Sequence, residues 1–516
     1  MKDSYLIGVD IGVSFVKVAI YDTAGDCISV ITKSSPAEYP EPGVFIQTGD
    51  DFLRIVIDAL KESVEQSGIQ PSAVEAIAFS GQMGGAIGVD KDWNAVTTWS
   101  NPMDTRYTPY VTQMQARARE QILRLSGTNF PFFTPKLLWW KSEYPDLYKN
   151  ASKFMILCGF IIGKMSDIPV EEAFVDRTYL QMTGIADIPN NRWSSELCEE
   201  FGIAQEKLPK IVDSHTIVGK LSKQAAQECG LVDGIPLVAG AGDKPAGSLG
   251  AGMVTPGLLI DESASFAALS LCVDQYVPDL TYKTLENIPS PIPGHYFPSF
   301  FLFGSGATHA WFKDVFGEEE KRIAVESGAS AYAILDEKAK HVPPGSEKLF
   351  ALGLLGGRGY PSDPDIRGMW LGHTWSHKKE HFYRALLESF AYEYGYVFNV
   401  MKKTYPDLPI DEVRVIGGGS RSDLWNQIKS DVVGLPYIKL NRDDFALLGD
   451  VLIAGYAVGI YTDLHETAQR FAVKTTSYAP NEKNHEYYQH YVELYEHIFD
   501  RVRDIFLDLK NIPAFS

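Results

Sequence analysis

Short apolar runs open the chain and predict a strand–turn–strand unit. Residues 5–9 and 16–21 are apolar runs that flank the segment Asp10-Ile11-Gly12-Val13-Ser14. Runs of this length on either side of a glycine turn are typical of strands. The turn offers backbone N–H groups and a serine hydroxyl for phosphate, and a carboxylate for magnesium. The pattern alone is not specific, because hairpins with an Asp-x-Gly turn are common.

Further along the chain, segments with a helical spacing of apolar residues alternate with strand-like apolar runs. A helix is predicted over 50–67, with Gly68 at its end and these apolar residues on one face: Leu53, Val56, Ile57, Leu60 and Val64. Strands are predicted at 74–79 and 412–416, and helices at 378–403, 422–433 and 445–459. Residues beyond 479 predict a charged, aromatic-rich helix packed on the outside. Strands followed by helices favour an α/β fold.

A second acidic turn lies near the middle of the chain. The apolar run 235–239 enters a glycine-rich turn that carries Asp243, and a segment of small residues follows it. A carboxylate between a strand and a helix can act as a general base or hold a metal ion. The alternative is that Asp243 only caps the helix.

Two internal echoes indicate a duplicated domain. The frame apolar–Asp–x–x–x–Ser–Phe occurs at 9–15 and again at 260–266, and the strand–glycine turn–helix pattern of 237–244 is echoed at 415–422. Two echoes in the same order predict a boundary near 253–256. We therefore expect an N-terminal domain over 1–254 and a C-terminal domain over 255–516.

Composition and charge narrow the classes of function. With 516 residues the chain favours two or more domains, and its net charge of −19 argues against nucleic acid or an anionic membrane as a partner. The five cysteines are scattered and show no C-x-x-C spacing, which fits a reducing cytosol and argues against a zinc site. We see no signal peptide, and no apolar run approaches the ~20 residues of a membrane span.

Eight short motifs, in chain order, resemble those of the FGGY family of carbohydrate kinases, and within it the pentulose kinases, above all xylulokinases. The resemblance covers about residues 5–475. The matching segments are 10–17, 81–83, 99–106, 133–139, 242–243, 304–312, 356–372 and 417–422. Together they are far more specific than any one of them.

The family resemblance implies two ribonuclease-H-like domains around a central cleft, of the actin and hexokinase type, and an ATP-dependent kinase that uses Mg²⁺. It implies that Asp243 is the general base and that Asp10 and Asp243 face the metal ion. The sugar-binding residues would be Gln82, Met83, Asp104, Arg106 and Asp243. The nucleotide-binding residues would be Gly12, Ser14, Lys17, Ser263, Ser265, Gly306, Gly418, Gly419 and Ser422.

Each of these site residues also has a plainer interpretation. Gln82 and Met83 could simply end a strand, and Asp104 and Arg106 could form a surface ion pair. The glycines at 417–419 could form an ordinary turn. The expected partners are a small sugar and ATP, with D-xylulose first among the sugars, no nucleic acid and no membrane. The expected location is cytoplasmic, and a homodimer is left open.

The chain departs from the family pattern around both predicted ligands. Val13 replaces a threonine of the phosphate loop, Glu262 enters the second phosphate loop, and Lys244 follows the base in place of Asn or Gln. Gly84 replaces a histidine, and we expect it to leave a void that alters sugar selectivity. A glutamate that faces polyphosphate is costly unless it is paired, so we expect Lys244 and Glu262 to pair across the cleft. The plainer alternative turns Glu262 to solvent.

Three functions remain open at this point. The first is an ATP-dependent kinase of a ketose or polyol. The second is a catalytically weak relative that binds a sugar as a sensor or partner protein, which the altered phosphate loops favour. The third is an actin-like filament protein or chaperone ATPase, which explains the fold but not the motif at 81–83.

Overall fold

Two mixed β-sheets organise the chain in a computed structural model that describes residues 4–513. The strands are β1 Tyr5–Ile11, β2 Phe15–Asp22, β3 Cys27–Ser34, β4 Val74–Gly81, β5 Ile87–Val89, β6 Lys153–Met155, β7 Phe174–Asp176, β8 Ala186–Asp187, β9 Arg192–Trp193, β10 Lys210–Val212, β11 Ile217–Lys220, β12 Pro236–Gly242, β13 Leu259–Glu262, β14 Ala267–Leu271, β15 Glu286–Pro289, β16 Tyr296–Leu302, β17 Phe350–Leu352, β18 Met369–Leu371, β19 Val413–Ile416, β20 Tyr437–Leu440 and β21 Lys474–Tyr478.

Helices cover both sheets and account for most of the remaining chain. The α-helices are α1 Gly49–Ser67, α2 Thr108–Ser126, α3 Phe133–Glu143, α4 Pro145–Asn150, α5 Leu157–Met165, α6 Ser195–Phe201, α7 Lys223–Cys229, α8 Asp243–Gly250, α9 Ser305–Phe316, α10 Glu318–Ser327, α11 Ala331–Ala339, α12 Lys379–Thr404, α13 Asp423–Val433, α14 Phe445–Ala457, α15 Leu464–Phe471 and α16 Glu482–Asn511. Short 3₁₀-helices lie at Pro71–Ala73, Val170–Glu172, Arg177–Thr183, Ile188–Asn190, Gln205–Lys207, Ser346–Lys348 and Gly418–Arg421.

The two sheets repeat one topology. The first sheet has the order β11-β12-β4-β1-β2-β3, in which β1 to β3 form an antiparallel meander and β4 and β12 run parallel to β1. The second sheet has the order β15-β16-β14-β13-β19-β20-β21, with the same antiparallel arrangement in β13, β14 and β16 and the same parallel pair in β19 and β20. Strand β15, which precedes β16 in the chain, is an additional strand at the edge. This is the predicted ribonuclease-H-like fold, present twice.

Local sequence explains the first elements well. Five of the seven residues of β1 are buried, as its apolar run predicts, and the strand extends through Asp10 to Ile11. Helix α1 begins after Thr48, whose side chain accepts a hydrogen bond from the Asp51 N–H, and ends at Gly68 with a φ of 65°. These are ordinary N- and C-caps.

The topology shows that the second proposed internal repeat compared strands that are not equivalent in the two sheets. Strand β19 pairs with β13 as β4 pairs with β1, so β19 is the counterpart of β4. The counterpart of β12 is β20, because each lies on the far side of that central parallel strand. The comparison of 237–244 with 415–422 was therefore wrong, since a glycine turn between a strand and a helix recurs after more than one strand of this fold.

Helix α14 belongs to the later half of the chain but packs on the first sheet. A Cβ atom at Gly8 would lie 2.7 Å from the Leu447 carbonyl oxygen, and one at Gly449 would lie 2.0 Å from the Ala246 carbonyl oxygen. The helix backbone therefore lies directly on β1 and α8, which only glycine permits at these contacts. This contact joins the two halves at the floor of the cleft.

Helix α16 covers the second sheet's helices, as predicted from its charged and aromatic composition. Its apolar stripe of Tyr488, Val492, Tyr495 and Phe499 is buried, and it packs on α12 and α13. Between residues 4 and 513, no helix combines the length and the apolar character that a membrane crossing requires.

Candidate active site

The strand-to-helix turn at Asp243 is held by two hydrogen bonds with one neighbouring segment. Asp243 is the first residue of α8, directly after β12. The Gly242 N–H donates to Thr178 Oγ1 at 2.8 Å, and the Tyr179 hydroxyl donates to the Ala241 carbonyl at 2.9 Å. The 3₁₀-helix Arg177–Thr183 thus fixes the backbone that presents Asp243.

Burial and neighbouring carboxylates disfavour the charged form of Asp243. Burial raises the pKa of the Asp243 carboxyl to about 7. Lys244 lowers this pKa, whereas Asp10 and Glu262 raise it. A carboxylate with such a pKa is suited to accept a proton from a hydroxyl.

Asp10 lies at the end of β1, where its strand neighbour in β4 is Ser80. Burial raises the pKa of Asp10, and Lys17 opposes that rise. Among the other predicted residues of this hairpin, Ser14 and Lys17 are exposed, and the Gly12 N–H donates to the Phe15 carbonyl at 2.9 Å. Gly12 is tightly enclosed, since a Cβ there would lie 2.9 Å from the Phe15 carbonyl oxygen.

The predicted ion pair across the cleft is confirmed. Lys244 Nζ donates to Glu262 Oε2 at 2.7 Å, which joins α8 of the first domain to the end of β13 in the second. Both side chains are about one-quarter exposed, at 26% and 30%. The pair neutralises the glutamate that departs from the family pattern, and Glu262 and Asp243 raise the pKa of Lys244 in spite of its burial.

Six predicted nucleotide-binding residues line one cavity in the second domain. The cavity has a volume of about 650 Å³. Its lining includes Ser263, Ser265, Gly306, Gly418, Gly419 and Ser422. Gly417 has a φ of 82°, and the Gly419 N–H donates to the Ser263 carbonyl at 2.8 Å, so the glycine turn is fastened to the neighbouring loop. Gly12, Ser14 and Lys17 do not line this cavity.

The same cavity has aromatic and polar walls that the sequence did not reveal. The His309 and Trp425 rings pack edge to face, 4.5 Å apart, and Asp336 and Tyr383 also line the space. Burial and then Lys429 lower the pKa of His309 to about 3, so this imidazole is neutral. No local pattern singled out these residues, because they come from four separate helices.

Gln82 and Met83 follow β4 at the edge of the cleft. The Gln82 N–H donates to the Ile11 carbonyl at 2.9 Å, and Gln82 Oε1 is buried without a hydrogen-bond partner. Met83 packs against the turn that carries Asp243, since a Cβ at Gly242 would lie 2.7 Å from its Sδ atom. The free amide oxygen of Gln82 is an acceptor that a ligand hydroxyl can satisfy.

Asp104 and Arg106 form a bidentate ion pair, as in the plainer interpretation, but a largely buried one. Arg106 Nε and Nη2 donate to the two carboxylate oxygens of Asp104, each at 2.8 Å. Asp104 is buried, and the Arg106 guanidinium stacks 4.7 Å from the centre of the Trp139 ring. Arg106 also lines a separate cavity of about 480 Å³ with Trp139 and Trp140. Direct sugar binding by Asp104 stays a prediction.

The expectation of a void at Gly84 was wrong. Gly84 has a φ of 80°, and a Cβ there would lie 3.1 Å from Phe132 Cγ and Pro102 Cγ and 3.2 Å from Met182 Sδ. The positive φ disfavours any other residue, and neighbouring side chains already occupy the space. Lys136 Nζ also donates to the Gly84 carbonyl at 2.9 Å, and this hydrogen bond holds the backbone of the turn in place.

The carboxylates of Asp10 and Asp243 fit a magnesium site in which the protein would supply only some of the oxygen ligands. Asp10 and Asp243 are hard carboxylate donors whose negative charges disfavour one another. Over residues 4–513 no group of three or more His, Cys, Asp or Glu side chains is arranged to hold a metal. Mg²⁺ is commonly bound by one or two carboxylates, with water and phosphate oxygens completing the shell.

Comparison with known proteins identifies the family of both domains. The family model described as "FGGY family of carbohydrate kinases, N-terminal domain" matches residues 5–250, and the model of the C-terminal domain matches residues 281–458. The chain is 26% identical to a xylulose kinase of Bacillus subtilis (strain 168), over 98% of this chain and 99% of the relative. It is 27% identical to an autoinducer-2 kinase of Enterobacter sp. (strain 638), over 96% and 94%.

A solved structure has the same fold. The ligand-bound xylulose kinase from Lactobacillus acidophilus superposes with a TM-score of 0.88 at 23% identity, covering 98% of this chain and 100% of the other. At this identity the likeness establishes the arrangement of the two domains rather than the substrate.

Proposed function

The chain belongs to the FGGY family of carbohydrate kinases, and we propose that it transfers the γ-phosphoryl group of ATP to a hydroxyl of a ketose or polyol, with D-xylulose the leading candidate. The observation that carries this proposal is the turn at Asp243. It presents a carboxylate of pKa about 7 beside Asp10 and opposite the second domain's loops, which line the 650 Å³ cavity.

In this proposal each side of the cleft supplies one part of the reaction. Gln82 and Met83 contact the sugar, and Asp243 accepts the proton of the hydroxyl that attacks the γ-phosphorus. The O–P bond to the sugar forms as the bond to the β-phosphate oxygen breaks, and ADP leaves. Ser263, Ser265 and the glycines at 418 and 419 hold the nucleotide.

Asp10, with Asp243, would hold Mg²⁺, which when bound neutralises charge on the β- and γ-phosphates. Positioning and charge neutralisation supply most of the catalysis in phosphoryl transfer. Lys244 adds a cation beside Asp243, while its pair with Glu262 keeps that glutamate from repelling the nucleotide.

The retained carboxylates favour catalysis over the sensor alternative. The altered phosphate loop was the main reason to consider a catalytically weak relative, and its glutamate is paired. The cytoplasmic location stays a prediction, and the homodimer stays open.

A panel of ketoses and polyols in a coupled ADP-release assay tests the proposal. The panel contains D-xylulose and, since one relative is named an autoinducer-2 kinase, autoinducer-2. We expect sugar-dependent ADP release, a phosphorylated product by mass spectrometry, and the highest kcat/KM for one ketose or polyol. Sugar binding by calorimetry with no ADP release from any member would instead support the sensor function.

A further inference from the structure

Helix α14 carries one carboxylate into the floor of the cleft from the second half of the chain. Asp450 is the only charged residue of Phe445–Ala457, and its side chain is fully buried. A Cβ at Gly8 would lie 3.1 Å from Asp450 Cβ, so the carboxylate sits directly against β1. A charge in an otherwise apolar helix is costly, and packing alone would favour an aliphatic residue there.

Asp450 and Asp10 meet at a single hydroxyl group. Ser80 Oγ is within donor distance of both carboxylates, 2.8 Å from Asp450 Oδ2 and 3.5 Å from Asp10 Oδ1. The hydroxyl has a single proton, and the much shorter contact assigns it to Asp450. Asp450 Oδ1 is buried and has no hydrogen-bond partner. Burial raises the pKa of Asp450 well above its ordinary value, and the nearby charge of Asp10 adds to the rise. Oδ2 can accept from Ser80 in either protonation state, because a protonated carboxyl keeps one acceptor oxygen.

The direction of the Ser80 hydroxyl decides what Asp10 can bind. A serine hydroxyl has one proton and two lone pairs. With the proton committed to Asp450, Ser80 Oγ turns lone-pair density toward Asp10. The two oxygens then form a pair of acceptors 3.5 Å apart, suited to the water ligands that Mg²⁺ retains. Without Asp450 the hydroxyl would donate to Asp10 and compete with the cation.

We propose that Asp450 is a positioning residue that turns the Ser80 hydroxyl away from Asp10 and thereby keeps Asp10 available to the nucleotide-associated cation. The inference rests on the proposed function, in which Asp10 faces Mg²⁺. Because Asp450 lies on α14, it also makes the cation site depend on the contact between the two halves of the chain.

The test measures ADP binding by calorimetry over a range of Mg²⁺ concentrations, in the full-length protein. The variants are D450A, S80A and D450A/S80A. The control is Val451→Ala, an equally buried neighbour on α14. We expect D450A to raise the Mg²⁺ concentration for half-maximal ADP binding about tenfold, the usual scale for residues that orient metal ligands. With saturating Mg²⁺, its kcat should stay near the wild-type value.

The double variant separates orientation from loss of packing. If Asp450 acts through Ser80, D450A/S80A requires no more Mg²⁺ than S80A, because the competing proton is gone. Equal costs of D450A in the wild-type and S80A backgrounds would overturn the inference, as would a Mg²⁺ requirement in D450A within twofold of wild type or a matching shift in Val451→Ala.

Two further results keep the test decisive. Should D450A fail to fold, Asp450→Val takes its place, since it also removes the acceptor but leaves less empty space. It must raise the Mg²⁺ requirement when Ser80 is present, and an equal rise in the S80A background rejects the inference. If the wild-type protein binds ADP equally well at all Mg²⁺ concentrations, both this inference and the metal role of Asp10 are rejected. If ADP binding by the wild-type protein depends on Mg²⁺ and the variants have the same Mg²⁺ requirement, only the inference about Asp450 is rejected.

Discussion

The two β-hairpins that open the two domains carry the same aspartate in opposite surroundings. Asp261, in the second domain, is fully buried and is bound by Lys429 Nζ, by Ser263 Oγ at 2.9 Å and by the Tyr394 hydroxyl at 2.9 Å. Asp10, in the first domain, has no ion pair within 4 Å among the residues that the structure describes, and only Ser80 lies at hydrogen-bond distance.

The difference shows how a repeated motif acquires two roles. A lysine on α13 converts the second aspartate into half of a buried ion pair, and the Lys429 ammonium also lies 4.2 Å from the centre of the Trp425 ring. The first aspartate instead lies close enough to Asp243 to raise its pKa and, within the described part of the chain, has no cationic side chain paired with it, which is why the proposed function assigns Asp10 to Mg²⁺. The hairpin pattern is shared, and the neighbouring side chains decide which copy is structural.

The largest expected effect concerns Asp243, the proposed general base. Asp243→Asn should lower kcat about 10²–10⁴-fold, the range that a positioned general base contributes. Nucleotide binding and the thermal unfolding temperature should change little, and the exposed Asp233→Asn serves as the control. Turnover like that of wild type would remove Asp243 from the catalytic role.

The comparison of the two hairpins predicts a large loss of stability for one aspartate variant and a small loss for the other. Asp261→Asn leaves the Lys429 ammonium buried without its partner and should cost about 3–5 kcal/mol. Asp10→Asn should cost little at pH 8, because the folded state already disfavours the charged form of Asp10. Urea unfolding of the two variants measures the difference. Equal losses would mean that both aspartates are structural.

A double-mutant cycle on ATP affinity tests the link between the domains. Lys244→Asn and Glu262→Ser should show a coupling energy of about 0.5–1 kcal/mol, since the pair is only partly shielded from solvent. The control cycle uses Lys210→Asn with its partner Glu172→Ser, an exposed pair outside the cavity. If the cleft variants act additively, the pair does not assist nucleotide binding.

The smallest expected effect is a shift in the pH profile. Because Asp243 must be deprotonated to accept a proton, kcat/KM should rise as the pH increases through about 7. Lys244→Asn removes a cation that lowers this pKa, so the rise should move to higher pH. Glu262→Ser removes an anion that raises the pKa, so the rise should move to lower pH. Matching profiles in all three proteins would assign the titration to another group.

The sequence predicted the parts of this fold that depend on neighbouring residues. Apolar runs and glycine turns located β1, β4, α1 and α16 to within a few residues, because strand periodicity and helix caps are local properties. The motif order also identified the family and the two acidic turns. The Lys244–Glu262 pair could be inferred because two unusual residues occur in loops that the family fold brings together.

Only the tertiary structure decided which charges meet. Lys429 reaches Asp261 across 168 positions and Asp450 reaches Ser80 across 370, and no local pattern encodes such partners. The one charge in the apolar segment 445–457 was a signal for Asp450 that the sequence did contain. At Gly84 the sequence suggested a void, but packing by Phe132, Pro102 and Met182 fills it. Periodicity and turn chemistry are fixed along the chain, whereas burial, cavity shape and charge pairing arise only when distant segments pack together.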